Sequence, residues 1–213
     1  MPLVQQRLFV VRHAETETVT GDGRLRSDGM VPLTERGAAA GLERVHSSDQ
    51  ARAEQTAQRL GGPRATVVTH AALREIRLGE ADGTDALQAF AAAPGYLVDP
   101  DVRLSSGGET PREVRARVGR AVTEILTRET DSTAVAVVGH GCANRMLLAH
   151  LLDIDLRRAL RLRQDWAGVN VVECLDGRWE LGTLNWNPGG VAEFARTRGM
   201  TGVAPEVWQR LGR

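Results

Sequence analysis

At 213 residues, 42% hydrophobic and 25% charged, the chain is long enough to bury a sizeable core and fits one α/β domain over 1–213. Its 27 basic and 27 acidic residues cancel, so no global basic field points to nucleic acid or to a membrane surface. Every basic residue is arginine, which excludes Schiff-base and lysine-base chemistry.

Taken in order, the chain alternates strand and helix signals. That pattern predicts a three-layer αβα sandwich, with a mostly parallel central sheet and helices on both faces. Arg7 to Val11 is a buried strand that opens onto Arg12-His13-Ala14-Glu15-Thr16. An irregular stretch from Glu17 to Pro32 follows, and Thr34 caps a predicted Ala-rich helix. Arg44 to Ser47 reads as strand. Ser48 or Asp49 is the expected cap of the next helix, which runs to Leu60 and stops at Gly61-Gly62-Pro63. Ala65 to Val68 is a strand. Residues 77–109 form an insertion with one short helix near Thr84 to Ala93. Thr110-Pro111-Arg112-Glu113 has the form of a capping box with proline at the first helical position, and an apolar stripe from Val114 to Leu126 continues the helix to about Arg128. A second buried strand, Ala134 to Val138, opens onto Gly139-His140-Gly141 and a helix to Leu152. Val169 to Leu175 and Trp179 to Leu184 form a hairpin around Asp176-Gly177, and a tail over 188–213 completes the chain.

Two histidines thus stand where buried strands hand over to loops, and ligands of open α/β sheets bind outside the carboxyl ends of strands. An arginine beside an imidazole points to an anionic substrate, most simply a phosphate ester. Phosphoryl displacement needs a nucleophile, donors around the equatorial oxygens and an acid for the leaving oxygen. His13 can supply the nucleophile, Arg12, Arg52 and His140 the donors, and Glu75 the acid. Cys142 and Cys174 lie far apart and form no metal-ligand pattern. His46, His70 and His150 carry no motif, and Trp166, Trp179, Trp186 and Trp208 read as packing residues.

Those residues match a known pattern. Arg12-His13-Ala14-Glu15-Thr16 resembles the R-H-G-x-[ST] signature of the histidine phosphatase superfamily, the phosphoglycerate-mutase-like clan. Leu33-Thr34-Glu35-Arg36-Gly37 is similar to its L-T-x-x-G, and Ser48 to Ala57 to its S-x-x-x-R-A-x-Q-T-A. Leu73 to Gly83 resembles L-x-E-x-x-x-G-x-x-x-G, Gly107 to Thr110 the G-E-[ST] turn, and Val138 to Gly141 the second histidine motif. Six matches in family order are strong where any one would be weak. The resemblance implies a phosphohistidine at His13, phosphate contacts from Arg12, Arg52 and His140, and proton donation by Glu75; Thr16, Gly141 and Cys142 are the candidate substrate contacts. The resemblance also implies that no metal is required, so neither a metal nor another cofactor is expected. Four positions depart from the pattern: Val19 replaces a frequent Asn, Ala81-Asp82 a Trp-Glu pair, Asp49-Gln50 a Pro-Leu pair, and Cys142 follows the second motif.

The expected activity is hydrolysis of a small phosphorylated metabolite, a sugar phosphate or biosynthetic intermediate, with no nucleic acid or membrane partner. A phosphomutase and a non-catalytic phospho-ligand binding protein stay open as alternatives. The mutases of this clan follow the acid with Arg-His-Tyr-Gly, where this chain has Ile76-Arg77-Leu78-Gly79. A homodimer paired through a sheet edge is compatible with the fold. Gln5, Gln6, Arg7 and Arg12 interrupt the N-terminal apolar stretch, and no apolar run nears the ~20 residues of a membrane span, so a cytoplasmic protein is expected.

Overall fold

The computed structural model describes residues 4–14, 42–84 and 86–187. Thr16, Val19 and the predicted helix after Thr34 lie outside the described residues, as does the tail.

The first strand, β1 (Val4–Arg12), is followed by β2 (Arg44–Ser48), α1 (Ala51–Gly61) and β3 (Thr66–His70). Short 3-10 turns cover Ala71–Leu73 and Gly79–Ala81, and α2 (Ala86–Ala92) is the short helix of the insertion. Then come α3 (Pro111–Arg128), β4 (Ala134–Gly139), α4 (Gly141–Leu151), α5 (Leu156–Ala159), β5 (Val169–Leu175) and β6 (Arg178–Trp186). The strands form one sheet in the order β3-β2-β4-β1-β5-β6. The β3-β2, β2-β4 and β4-β1 pairs are parallel, whereas β5 and β6 run antiparallel to their neighbours. The fold is therefore α/β, and the hairpin makes the sheet mixed at one edge.

Alternation along the central strands supplies both layers. Leu8, Val10, Val135 and Val137 face one side, where they pack with Val114, Val118 and Val122 of α3 and Met146 to Ala149 of α4. Val11, Val45, Ala136 and Val138 face the other, against Ala53, Ala57 and Leu60 of α1. Strands buried on both faces need continuous apolar runs, which is why β1 and β4 read so clearly in the sequence.

The termini of the elements follow local chemistry. The α3 capping box is complete: Thr110 Oγ1 accepts from Glu113 N at 3.2 Å and Glu113 Oε2 accepts from Thr110 N at 2.8 Å. Asp176 and Gly177 both have positive φ, at 49° and 76°, as a two-residue hairpin turn of the primed type requires. At α1 the expectation fails. The N-cap is Gln50, without a side-chain cap bond, because Asp49 turns away to a bidentate ion pair with Arg74 at 2.7 and 2.6 Å. Ser48 Oγ accepts only from Gln50 N, at 3.2 Å.

Candidate active site

β1 and β4 are adjacent, parallel and in register from Arg7 opposite Ala134 to Arg12 opposite Gly139. The residue after each strand is a histidine, so the register alone sets His13 beside His140. The His13 N–H donates to Gly139 O at 3.0 Å, and the two rings lie 5.0 Å apart between centroids. β2 pairs with β4 on its other side, and from β4 and β2 the chain reaches helices on opposite faces: α4 follows β4 on one side, and α1, which carries Arg52, follows β2 on the other. Such a divergence opens a crevice at the strand ends.

The contacts of His13 fix its tautomer. Nδ1 is 2.8 Å from Ala14 O, a carbonyl that can only accept, so Nδ1 carries the proton. Nε2 is left with its lone pair and accepts from Arg52 Nε at 3.2 Å. Burial first, then His140 and Arg12, holds the His13 pKa well below the usual histidine value. His140, wholly buried, is likewise lowered by burial and then by Arg52 and Arg12. Both imidazoles are therefore neutral near pH 7.

Two guanidiniums and the second imidazole surround the His13 ring. Arg52 Nη2 donates to Gln50 Oε1 at 3.0 Å, which aims the remaining guanidinium at His13. Arg12 is buried, donates through Nη1 to Gln164 O, and stands 5.3 Å over the Trp166 ring. Arg12 Nε and both His140 ring nitrogens are buried without a hydrogen-bond partner among the described residues. Buried donors without partners are uncommon and mark a place where an anion can complete them.

Glu75 follows the turn Ala71–Leu73 in a stretch without helix or strand. Its carboxylate sits on the N-terminus of α4: Oε1 accepts from Ala143 N and Cys142 N at 3.1 Å each, and from Ile76 N at 3.0 Å. Oε2 has a single 3.2 Å contact with Cys142 N. Oε2 is thus the less engaged of the two carboxylate oxygens. The first turn of α4 contains Gly141 and Cys142, both buried, and burial pushes the Cys142 thiol up, so it is no thiolate nucleophile.

Glu75 also lines a cleft of about 880 Å³ with Gln50, Arg52, Arg74, Arg77 and Arg117, room for a leaving group far larger than phosphate. Among the described residues no three His, Cys, Asp or Glu side chains are grouped to hold a metal ion.

Sequence patterning brought His13, Arg12, Arg52, Glu75 and His140 to attention, and the structure brings all five to one end of the sheet. It missed Gln50, Gln164 and Arg117. It also read Trp166 as packing, whereas Trp166 forms the floor beneath Arg12. The Gln164 contact is made by a main-chain carbonyl, which no residue type advertises. Beneath it, Asn170 exchanges hydrogen bonds with Gln164 at 2.9 and 3.0 Å and donates to Val10 O, tying the β5 edge to β1.

The chain resembles known proteins in sequence and in fold. The model of the histidine phosphatase superfamily (branch 1) matches residues 8–187. A glucosyl-3-phosphoglycerate phosphatase of Mycolicibacterium vanbaalenii is 34% identical over 174 residues, which is 71% of this chain and 76% of that protein. A probable phosphoglycerate mutase of Proteus mirabilis is 27% identical over 190 residues, 81% of this chain and 87% of that protein. Among solved structures, a mycobacterial glucosyl-3-phosphoglycerate phosphatase in complex with inorganic phosphate superposes with a TM-score of 0.75 at 26% identity, covering 87% of this chain and 99% of that one. With the match spanning nearly the whole described sheet and every one of its strands, the chain belongs to branch 1 of the histidine phosphatase superfamily.

Proposed function

We propose that this chain hydrolyses a small phosphomonoester through a phosphohistidine at His13 Nε2. The observation that carries the reading is the Nε2 lone pair of a neutral imidazole, facing Arg52 and flanked by Arg12 and the unpartnered His140. A phosphate entering between His13 and Arg52 takes over the Arg52 Nε–H and receives the free donors of Arg12 and His140. Nε2 attacks phosphorus in line as the bond to the ester oxygen breaks, and Glu75 delivers a proton to that oxygen. Water then attacks phosphorus, Glu75 takes its proton, the P–N bond breaks and the electron pair returns to Nε2. Orthophosphate leaves and His13 is restored.

The roomy, charged cleft beside Glu75 supports a polar leaving group. The likeness to a glucosyl-3-phosphoglycerate phosphatase supports a sugar phosphate or a related biosynthetic intermediate.

The test is phosphate release from a panel of phosphomonoesters, sugar phosphates among them, with EDTA present and with His13→Ala as the control. Turnover in the wild type that vanishes in a folded His13→Ala variant is expected. Undiminished turnover in that variant removes His13 as the nucleophile. Conversion of 3-phosphoglycerate without phosphate release would indicate a mutase instead.

A further inference from the structure

Glu75 belongs to no helix or strand, yet a proton donor must be held within a fraction of an ångström of its working position. The α4 N-terminus grips its carboxylate, but what fixes its backbone comes from elsewhere. Arg117, in the second turn of α3, makes five hydrogen bonds. Nη1 donates to Ala72 O at 2.7 Å and Arg74 O at 2.8 Å, and Nη2 to Glu75 O at 3.1 Å. The remaining two go to Glu109, from Nε to Oε1 at 2.9 Å and from Nη2 to Oε2 at 3.0 Å.

Glu109 closes the arrangement from the other side of Glu75. Its Oε2 accepts from Arg77 N at 3.0 Å, and its own N–H donates to Arg77 O at 2.9 Å. That close approach depends on Gly79, whose φ is 68° and where a Cβ would lie 2.1 Å from Ser106 O and 2.4 Å from Gly108 N. The peptide groups on both sides of Glu75 are therefore pinned by one partly buried ion pair.

Burial of Glu109 opposes its ionisation, and the Arg117 hydrogen bond, the Arg77 N–H and the charges of both arginines together outweigh it, holding its pKa below the usual glutamate value. A planar guanidinium with all its donors engaged fixes direction as well as distance. An ammonium at the same place supplies charge without the fork.

We infer that the Arg117–Glu109 pair is a positioning device that sets the Glu75 carboxyl against the leaving-group oxygen; this rests on Glu75 being the proton donor. The pair acts through Glu75 and performs no chemistry itself. Its loss therefore matters in proportion to how badly the leaving group needs a proton.

The experiment compares kcat/KM, which reports the step that expels the leaving group and not the later hydrolysis of the phosphohistidine, for a phosphorylated alcohol and for p-nitrophenyl phosphate, whose leaving group departs without help. Wild type, Glu75→Gln, Arg117→Lys, Glu109→Gln and the double variant Glu75→Gln/Arg117→Lys are compared. In Glu75→Gln the ratio of the two rates should drop by roughly 100-fold, the scale of general acid catalysis. Arg117→Lys should reproduce most of that drop, Glu109→Gln a smaller part, and the double variant should add little to Glu75→Gln alone.

A normal ratio in Glu75→Gln overturns the acid reading and the inference with it. A drop in Glu75→Gln without one in Arg117→Lys or Glu109→Gln overturns the positioning role alone. Equal losses on both substrates in the pair variants mark a merely structural contact, and a raised KM with kcat preserved marks a direct contact with substrate; either outcome overturns the inference.

Discussion

The ring of His13 packs 5.0 Å from that of His140, both buried, with Arg12 and Arg52 alongside. A second proton on either imidazole would add positive charge to a buried cationic site. This keeps the nucleophile in its reactive form and also costs stability in acid. The unfolded chain binds protons at histidine below about pH 6.5, whereas the folded pKa values of His13 and His140 lie well below that. As pH falls through the window between the two, the unfolded state gains protons that the folded state refuses, so folding stability drops. Each such histidine contributes up to about 1.4 kcal/mol per pH unit. His46, His70 and His150 are lowered too, first by burial in each case, and act with the same sign. Urea midpoints should therefore fall between pH 7.5 and 5.5, and less steeply in His13→Ala. A midpoint indifferent to pH over that range would show that the imidazoles take up their protons in the folded state.

Elements carry the next set of consequences, and here the sequence was informative in a particular way. β1, β4 and the α3 cap were legible because each is dictated by its own residues: unbroken apolar runs for strands buried on both faces, and reciprocal bonds between Thr110 and Glu113. The α1 cap was not legible, since Asp49 is a good local cap that a distant partner, Arg74, claims instead. Trp166 and Gln164 escaped for the same reason. They meet Arg12 across some hundred and fifty residues, and only the folded sheet brings them together. The capping box gives a direct test of the local kind of signal. Thr110→Ala removes the acceptor for Glu113 N and should lower stability by about 1 kcal/mol, while Thr110→Ser should keep most of it. Chemical denaturation of the three proteins measures this, and an Ala variant as stable as the wild type would mean that the N-terminus of α3 is held by tertiary contacts alone.

At the scale of the whole molecule, the site exists because helices diverge to opposite faces behind adjacent parallel strands. β1 and β4 bring the two histidines, α1 brings Arg52, and the α4 N-terminus holds Glu75. Each donor is anchored to a different element, so a ligand that engages all of them ties the layers together. Arg12 Nε and the His140 nitrogens have no partner among the described residues, and an oxyanion would accept from the Arg12 Nε–H and from the one N–H of the neutral His140 ring. A ligand that binds only the folded state stabilises it by about 2.7 kcal/mol at a hundred times its Kd. For a chain of this length that corresponds to roughly 5–10 °C in Tm. Orthophosphate or vanadate should therefore raise the Tm of the wild type in a saturable way. Arg12→Ala and Arg52→Ala should each weaken the shift, since each removes a guanidinium that meets the anion, and the double variant should abolish it. A shift of the same size in the double variant would place the anion elsewhere on the protein, and with it the phosphate site assigned to the ends of β1 and β4.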